Sequence, residues 1–134
     1  MPSREAMIDT MDRLYRARVA GDKDALAQVW APGATYRMAG GATAMPDRMR
    51  GSGPARPATE QLIDTFVFHT AERLETVVEG DTAATRMRCE VTRKGSERHV
   101  ETEIMDLWTF NSEGRVQSIV QYIDTALMLE LLGA

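Results

Sequence analysis

The 134-residue sequence predicts an α+β domain, with helices filling most of the first half and an antiparallel meander most of the second. Three observations carry this. Met7, Met11 and Leu14 recur at helical spacing from Ser3 to Ala20, and Gly21 follows where a helix takes a left-handed C-terminal residue. Four extended runs between about His69 and Ile123 are divided by EGD, KGS and NSEG, each a hairpin turn signal. Within them EIMDLWTF alternates, so that Ile104, Asp106, Trp108 and Phe110 share one face.

The remaining elements follow in order. Asp22 caps a short second helix, DALAQVW, which stops at Pro32-Gly33 before the strand ATYRM. Residues 39–58, AGGATAMPDRMRGSGPARPA, show no period and form one long loop, read either as disordered or as a lid whose Met45 and Met49 lie on an apolar ligand. TEQLIDTF is a third helix, and Asp124 caps a last one, TALMLELL. The chain is long enough for one sizeable core and too short for two, so residues 1–134 are read as a single domain.

Composition narrows the function. A hydrophobic content of 43% is that of a globular protein, and a formal charge of -4 argues against nucleic acid, which requires a basic face. With no apolar stretch fit for a signal peptide or a membrane span, the sequence reads as cytoplasmic with no membrane partner. The single cysteine, Cys89, forms no internal disulfide, and no Cys/His group has metal-ligand spacing; neither a metal nor another cofactor is expected.

Asp106 is the residue that breaks its pattern, because a carboxylate in an apolar row needs a partner, a proton or water. Met87, Cys89 and Val91 from the preceding strand and Ile119, Gln121 and Ile123 from the next are expected beside it. No arginine or lysine shares its strand face, so desolvation is expected to raise its pKa.

The order of elements resembles the nuclear-transport-factor-like superfamily, which includes ketosteroid isomerases and SnoaL-like polyketide cyclases. The resemblance rests on VAGDKDALAQVWAPGATYRM, on the helix after the loop and on MDLWTFNSEGRVQSIVQYID, and so covers nearly the whole chain. It implies a cone: a curved antiparallel sheet wrapped around the helices, with a ligand cavity inside and frequently a dimer through the sheet. It also puts Asp106 where ketosteroid isomerases hold a protonated aspartic acid that hydrogen-bonds a developing enolate oxygen. The isomerase base position falls on Met38, and a thioether removes no proton from carbon. The isomerase tyrosine aligns with Leu14, one residue or about 100° of helix from Tyr15. Tyr36, two residues before Met38, is an alternative phenol.

Other branches match less well. Epoxide-hydrolase-like sites need an arginine flanked by two carboxylates, which TRMRCEV does not supply, and dehydratase-like sites use two cavity histidines, whereas His99 alternates away from Asp106. The SnoaL-like cyclase aspartate is the nearest match, with His69 as a second proton carrier. The expected catalytic set is therefore Asp106, Tyr36 and His69, and the expected ligand wall is Tyr15, Met38, Met87, Cys89, Trp108, Ile119, Gln121 and Ile123. Each has a plainer role: Asp106 as a hydrogen-bonded structural acid, His69 as a satisfied junction residue, Tyr15 and Trp108 as packing. Arg48, Arg50 and Arg56 either meet an anionic substrate or solubilise the loop.

Two functions remain open: cofactor-free acid/base isomerisation, cyclisation or dehydration of a small apolar molecule, or a non-catalytic binding or structural module. A homodimer is expected in either case. If Asp106 points inward, Met105, Leu107, Val120 and Tyr122 point outward and leave an apolar patch.

Overall fold

Helix α1 (Arg4–Ala20) and the short α2 (Lys23–Ala27) lead into strands β1 (Trp30–Met38) and β2 (Gly53–Pro54) in the computed structural model, which describes residues 2–39 and 53–133. Helix α3 (Ala55–Thr65), strands β3 (Phe66–Glu79), β4 (Thr82–Arg93), β5 (His99–Phe110) and β6 (Val116–Tyr122), and helix α4 (Thr125–Leu131) complete the chain. Helices before a curved sheet, with a short closing helix, is the architecture expected from the sequence.

The caps form as their residue types dictate. Ser3 Oγ accepts from the Ala6 amide and Asp22 Oδ1 from the Ala25 amide, while Asp124 Oδ1 accepts from Leu127. Gly21 closes α1 at φ 67°, and the next amide, that of Asp22, reaches back to the Ala17 carbonyl at 2.9 Å. That left-handed residue turns the chain so that α2 follows directly.

The strand order is β2-β1-β6-β5-β4-β3. Strands β3 to β6 form the expected meander, but β1 runs parallel to β6, so the sheet is not wholly antiparallel. Strand β1 also starts earlier than expected: helix two ends at Ala27, and Trp30 to Gly33 already belong to the strand. Pro32 and the positive φ of Gly33 fall where the β1–β6 register shifts, between Trp30 and Thr35, so they mark an irregularity inside the strand and not its boundary.

Residues 53–58 are likewise not loop. Gly53 and Pro54 pair with Tyr36 and Thr35, and α3 begins at Ala55 with Pro57 in its first turn, where a missing N–H is tolerated. The expected lid, with Met45, Met49, Arg48 and Arg50, otherwise lies outside the described residues. Arg56 belongs to α3 and pairs with Glu60 one turn on.

One sheet face and the helices enclose the core, which includes Met7, Met11, Leu14, Leu62, Met87, Cys89, Trp108, Phe110 and Ile119. The other face splits in two. Across β3, β4 and β5 it carries Arg86 paired with Glu75 and Glu103, and Arg88 paired with Glu72 and Glu101. Across β5 and β6 it carries the apolar cross-strand pairs Met105–Tyr122 and Leu107–Val120. Met105, Leu107 and Tyr122 are 37%, 38% and 48% exposed.

Gly21→Ala should lower stability by about 1 kcal/mol, the cost of placing a Cβ in left-handed backbone. Its Cβ would meet nothing closer than Ile63 at 3.9 Å, so the loss is conformational and not steric. Urea denaturation reads the change; an unaltered midpoint would show that the cap does not hold this backbone in the folded protein.

Candidate functional site

Strand alternation delivers Asp106 to the core face of β5, and it is 2% exposed. Its two oxygens are both engaged. Tyr15 on α1 donates to Oδ2 at 2.9 Å, and Gln121 on β6, directly opposite in the ladder, donates through Nε2 to Oδ1 at 3.0 Å.

Each donor is held in turn. Tyr36 on β1 donates to Gln121 Oε1 at 2.6 Å, which leaves the amide nitrogen to face Asp106. Trp108 Nε1 donates to Thr85 Oγ1 at 3.0 Å, and Thr85 lies 2.6 Å from the Tyr15 hydroxyl. With the Trp108 proton on Thr85, the Thr85 hydroxyl is free to donate to Tyr15 and Tyr15 to Asp106. Both arms of the network therefore deliver protons toward one carboxyl group. The Tyr15 ring is fixed edge-on to Trp108, with centroids 5.6 Å apart and planes at 84°.

Opposing effects act on Asp106. Burial raises its pKa, whereas the hydrogen bonds from Tyr15 and Gln121 and the nearby charge of Arg18 lower it; burial wins, and the pKa stands above the ordinary carboxylate value. Burial also raises Tyr15, with the Asp106 charge adding to the rise, and it raises Tyr36. The buried Cys89 thiol is pushed up to about 12 by desolvation, which leaves it a packing residue and not a nucleophile.

Beside this network lies a cavity of about 40 Å³, bordered by Met38, Phe68, Ile104, Gln121, Ile123 and residues of α4. Leu127, Met128 and Leu131 of α4 close it, although no residue of that helix is fully buried. The volume corresponds to roughly three waters. Its walls are apolar apart from Gln121, Thr102, Asp124 and the guanidinium-bearing Arg18.

The expected residues are thus brought together in part. Tyr15, expected in the ligand wall, supplies the phenol that bonds Asp106. Tyr36, the expected catalytic phenol, touches Gln121 instead and lies one amide away from the carboxyl. Met87, Cys89, Trp108 and Ile119 are core, while Met38, Gln121 and Ile123 border the cavity. Asp106 itself does not border it; Gln121 stands between.

His69 is not brought to Asp106. It is exposed, bonds Thr92 Oγ1 at 2.7 Å and stacks on His99 at 4.4 Å, and His99 lies on the face of β5 opposite to Asp106. Among the described residues no group of three His, Cys, Asp or Glu stands together as a metal site.

Thr85 and Arg18 were not singled out from the sequence, though each had a signal. Thr85 precedes Met87 and Cys89 by the strand period, and Arg18 extends the stripe Met7, Met11, Leu14 by one further helical turn. A polar residue at an apolar position is the informative one.

Comparison with known proteins locates this architecture. The family described as SnoaL-like domain matches residues 11–119. Among curated proteins none matches. A solved structure named as an isomerase from Rhodopseudomonas palustris is 21% identical, with a TM-score of 0.77 over 100% of both chains. Another isomerase-named structure, from Bacillus subtilis, is 12% identical, with a TM-score of 0.83 over 99% of this chain and 96% of that one. A structure named as a SnoaL-like polyketide cyclase from Jannaschia sp. CCS1 is 17% identical, with a TM-score of 0.74 over 100% of this chain and 97% of that one. At these identities the likeness is one of fold.

The raised pKa has a signed consequence. Since the folded value of Asp106 lies above the unfolded one, its contribution to stability is fully present below the unfolded pKa and is lost as pH rises through the folded one. Asp106→Asn, in which Tyr15 can turn its proton to Thr85 and accept from the new amide, should gain on the wild type as pH rises. Urea unfolding across pH measures this; a difference that does not change with pH would mean that Asp106 titrates alike in both states. Tyr15→Phe removes a donor that lowers this pKa, so carboxyl titration by NMR should find it higher still.

Proposed function

We propose, from the premise that this chain belongs to the SnoaL-like domain family, that the protein binds a small, largely apolar molecule and performs general acid/base isomerisation, cyclisation or dehydration on it without a metal or cofactor. One observation carries the reading: a buried carboxyl, kept above its ordinary pKa and served by donors from two directions, stands one side chain away from an apolar cavity. The raised pKa brings the group closer to neutral pH, where an acid exchanges protons most effectively. The chemistry then requires Gln121 to swing aside or Asp106 to act across it. Tyr15 positions Asp106, Tyr36 positions Gln121, and Met38 contributes only apolar wall.

A second reading, a binding module without catalysis, is favoured by the same intervening Gln121. Asp106 in that case is the buried anchor of the network and Gln121 the only network member that meets the ligand. Catalysed exchange of the α-protons of β-tetralone in deuterated water, followed by NMR, separates the two readings. The enzyme reading expects exchange above the uncatalysed rate and a fall of roughly a hundredfold or more in Asp106→Asn. Ketone binding with no exchange, or undiminished exchange in the variant, would favour the binding module.

Residues 1–134 are taken as one domain acting in the cytoplasm, a placement consistent with a free, unreactive Cys89. No helix among the described residues is long and apolar enough to cross a membrane. The apolar pairs Met105–Tyr122 and Leu107–Val120, bordered by ion-paired arginines, support a homodimer through the outer face of the sheet. Light scattering at micromolar concentration should give twice the chain mass, and Leu107→Glu should return it to the monomer. A monomeric wild type would end this part of the reading.

A further inference from the structure

Arg18 is 7% exposed, yet it stands on a helix face made otherwise of Met7, Met11 and Leu14 and borders the cavity. A buried cation is costly unless a charge partner compensates it. The ion pairs of the described residues all use other cations. The guanidinium carbon lies 4.3 Å over the Phe68 ring, and part of its N–H edge meets the Tyr36 phenol; both partners are neutral, so the charge itself has no anion beside it.

The nearest internal anion does not fill that role. Asp106 feels the charge of Arg18, but both its oxygens are taken by Tyr15 and Gln121, and burial favours its neutral form. A neutral Asp106 would leave Arg18 as the buried charge at the cavity, since Asp124, which also borders it, is exposed and caps α4 through the Leu127 amide. Gln121 adds a second donor: one amide hydrogen goes to Asp106, and the other has no partner among the described residues.

We infer that Arg18, with the second amide hydrogen of Gln121, forms the head-group subsite for a ligand that is a carboxylic acid with an apolar body. This deepens the proposed function and rests on its premise that the cavity takes a small apolar molecule. The planar fork of a guanidinium matches a carboxylate with two parallel hydrogen bonds. A phosphate dianion would need more than one cation to offset its desolvation here. A volume of about 40 Å³ accommodates a head group and little more, so the apolar body must displace α4. That helix offers Leu127, Met128 and Leu131 as a replaceable roof, since none of its residues is fully buried.

Calorimetric titration of the full chain with octanoate and, separately, with octanamide tests this at neutral pH. The two probes share a body and differ in charge. Octanoate should bind at least about tenfold more tightly, the Arg18 Nε–H resonance should shift with it, and Arg18→Met should abolish the preference. Arg18→Lys keeps the charge without the fork and should retain only part of it, which keeps the inference testable if the methionine variant fails to fold. Equal affinity for the two probes, or a preference that survives in Arg18→Met, would overturn the carboxylate subsite and leave the apolar cavity standing. Failure of the wild type to bind either probe at millimolar concentration would overturn the subsite and the cavity reading together.

Discussion

The buried carboxyl of Asp106 is the constraint around which the rest of the molecule is arranged. Its hydrogen bonds tie together elements far apart in the chain: α1 through Tyr15, β6 through Gln121, and behind these β4 through Thr85 and β1 through Tyr36. A hydrophobic core alone tolerates small slides of a helix over a sheet, because apolar contact has no direction. A phenol that must reach one carboxyl oxygen does not. If α1 moved by one residue, Leu14 or Arg16 would come to the position of Tyr15, and Asp106 would lose one of its two direct donors. The polar network thus selects the register of helix on sheet, while Met11, Leu62, Met87 and their neighbours provide the driving force.

Both sheet faces follow from the same alternation. Once Asp106 points inward, Met105 and Leu107 must point outward, and ladder pairing sets them against Tyr122 and Val120. The outer face of β3 to β5 is covered with arginine–glutamate pairs, which keep that part wet. Such exposed pairs add little stability, and their consequence is the boundary they draw around the apolar part of the face. One register decision therefore places the interior acid, the apolar outer patch and its charged border.

Much of this was legible in the sequence because period and punctuation are local properties. Helix α1, the caps at Asp22 and Asp124, the hairpin turns and the inward direction of Asp106 all follow from spacings within a few residues. The errors came where local rules met non-local pairing. Pro32-Gly33 looked like a boundary and is an irregularity within β1, stabilised by a parallel partner more than eighty residues away. Gly53-Pro54 looked like loop and pairs with β1. His69, expected as a second proton carrier, is instead set by the sheet against His99 on the outer face. Tyr15, one residue past the aligned Leu14, was expected in the ligand wall, with Tyr36 as the alternative phenol; in α1 both Leu14 and Tyr15 are buried, and it is Tyr15 whose phenol reaches Asp106.

Arg18 shows why the site was harder to read than the fold. On the chain it is one of several arginines near the end of α1, where a cation also suits the helix dipole, so its presence invited no question. Only the stripe it shares with Met7, Met11 and Leu14 separates it from the solvated arginines of the same helix, and only the packing of Phe68 beneath it shows that the side chain stays inside. Its charge and that of Asp106 are then coupled in opposite senses. Arg18 lowers the pKa of Asp106, so an anion held by Arg18 would cancel that influence and let burial push the carboxyl further toward its neutral form. Ligand binding and protonation of the interior acid would then reinforce each other, since a carboxylate at Arg18 raises the pKa of Asp106 and a neutral Asp106 leaves Arg18 to the carboxylate.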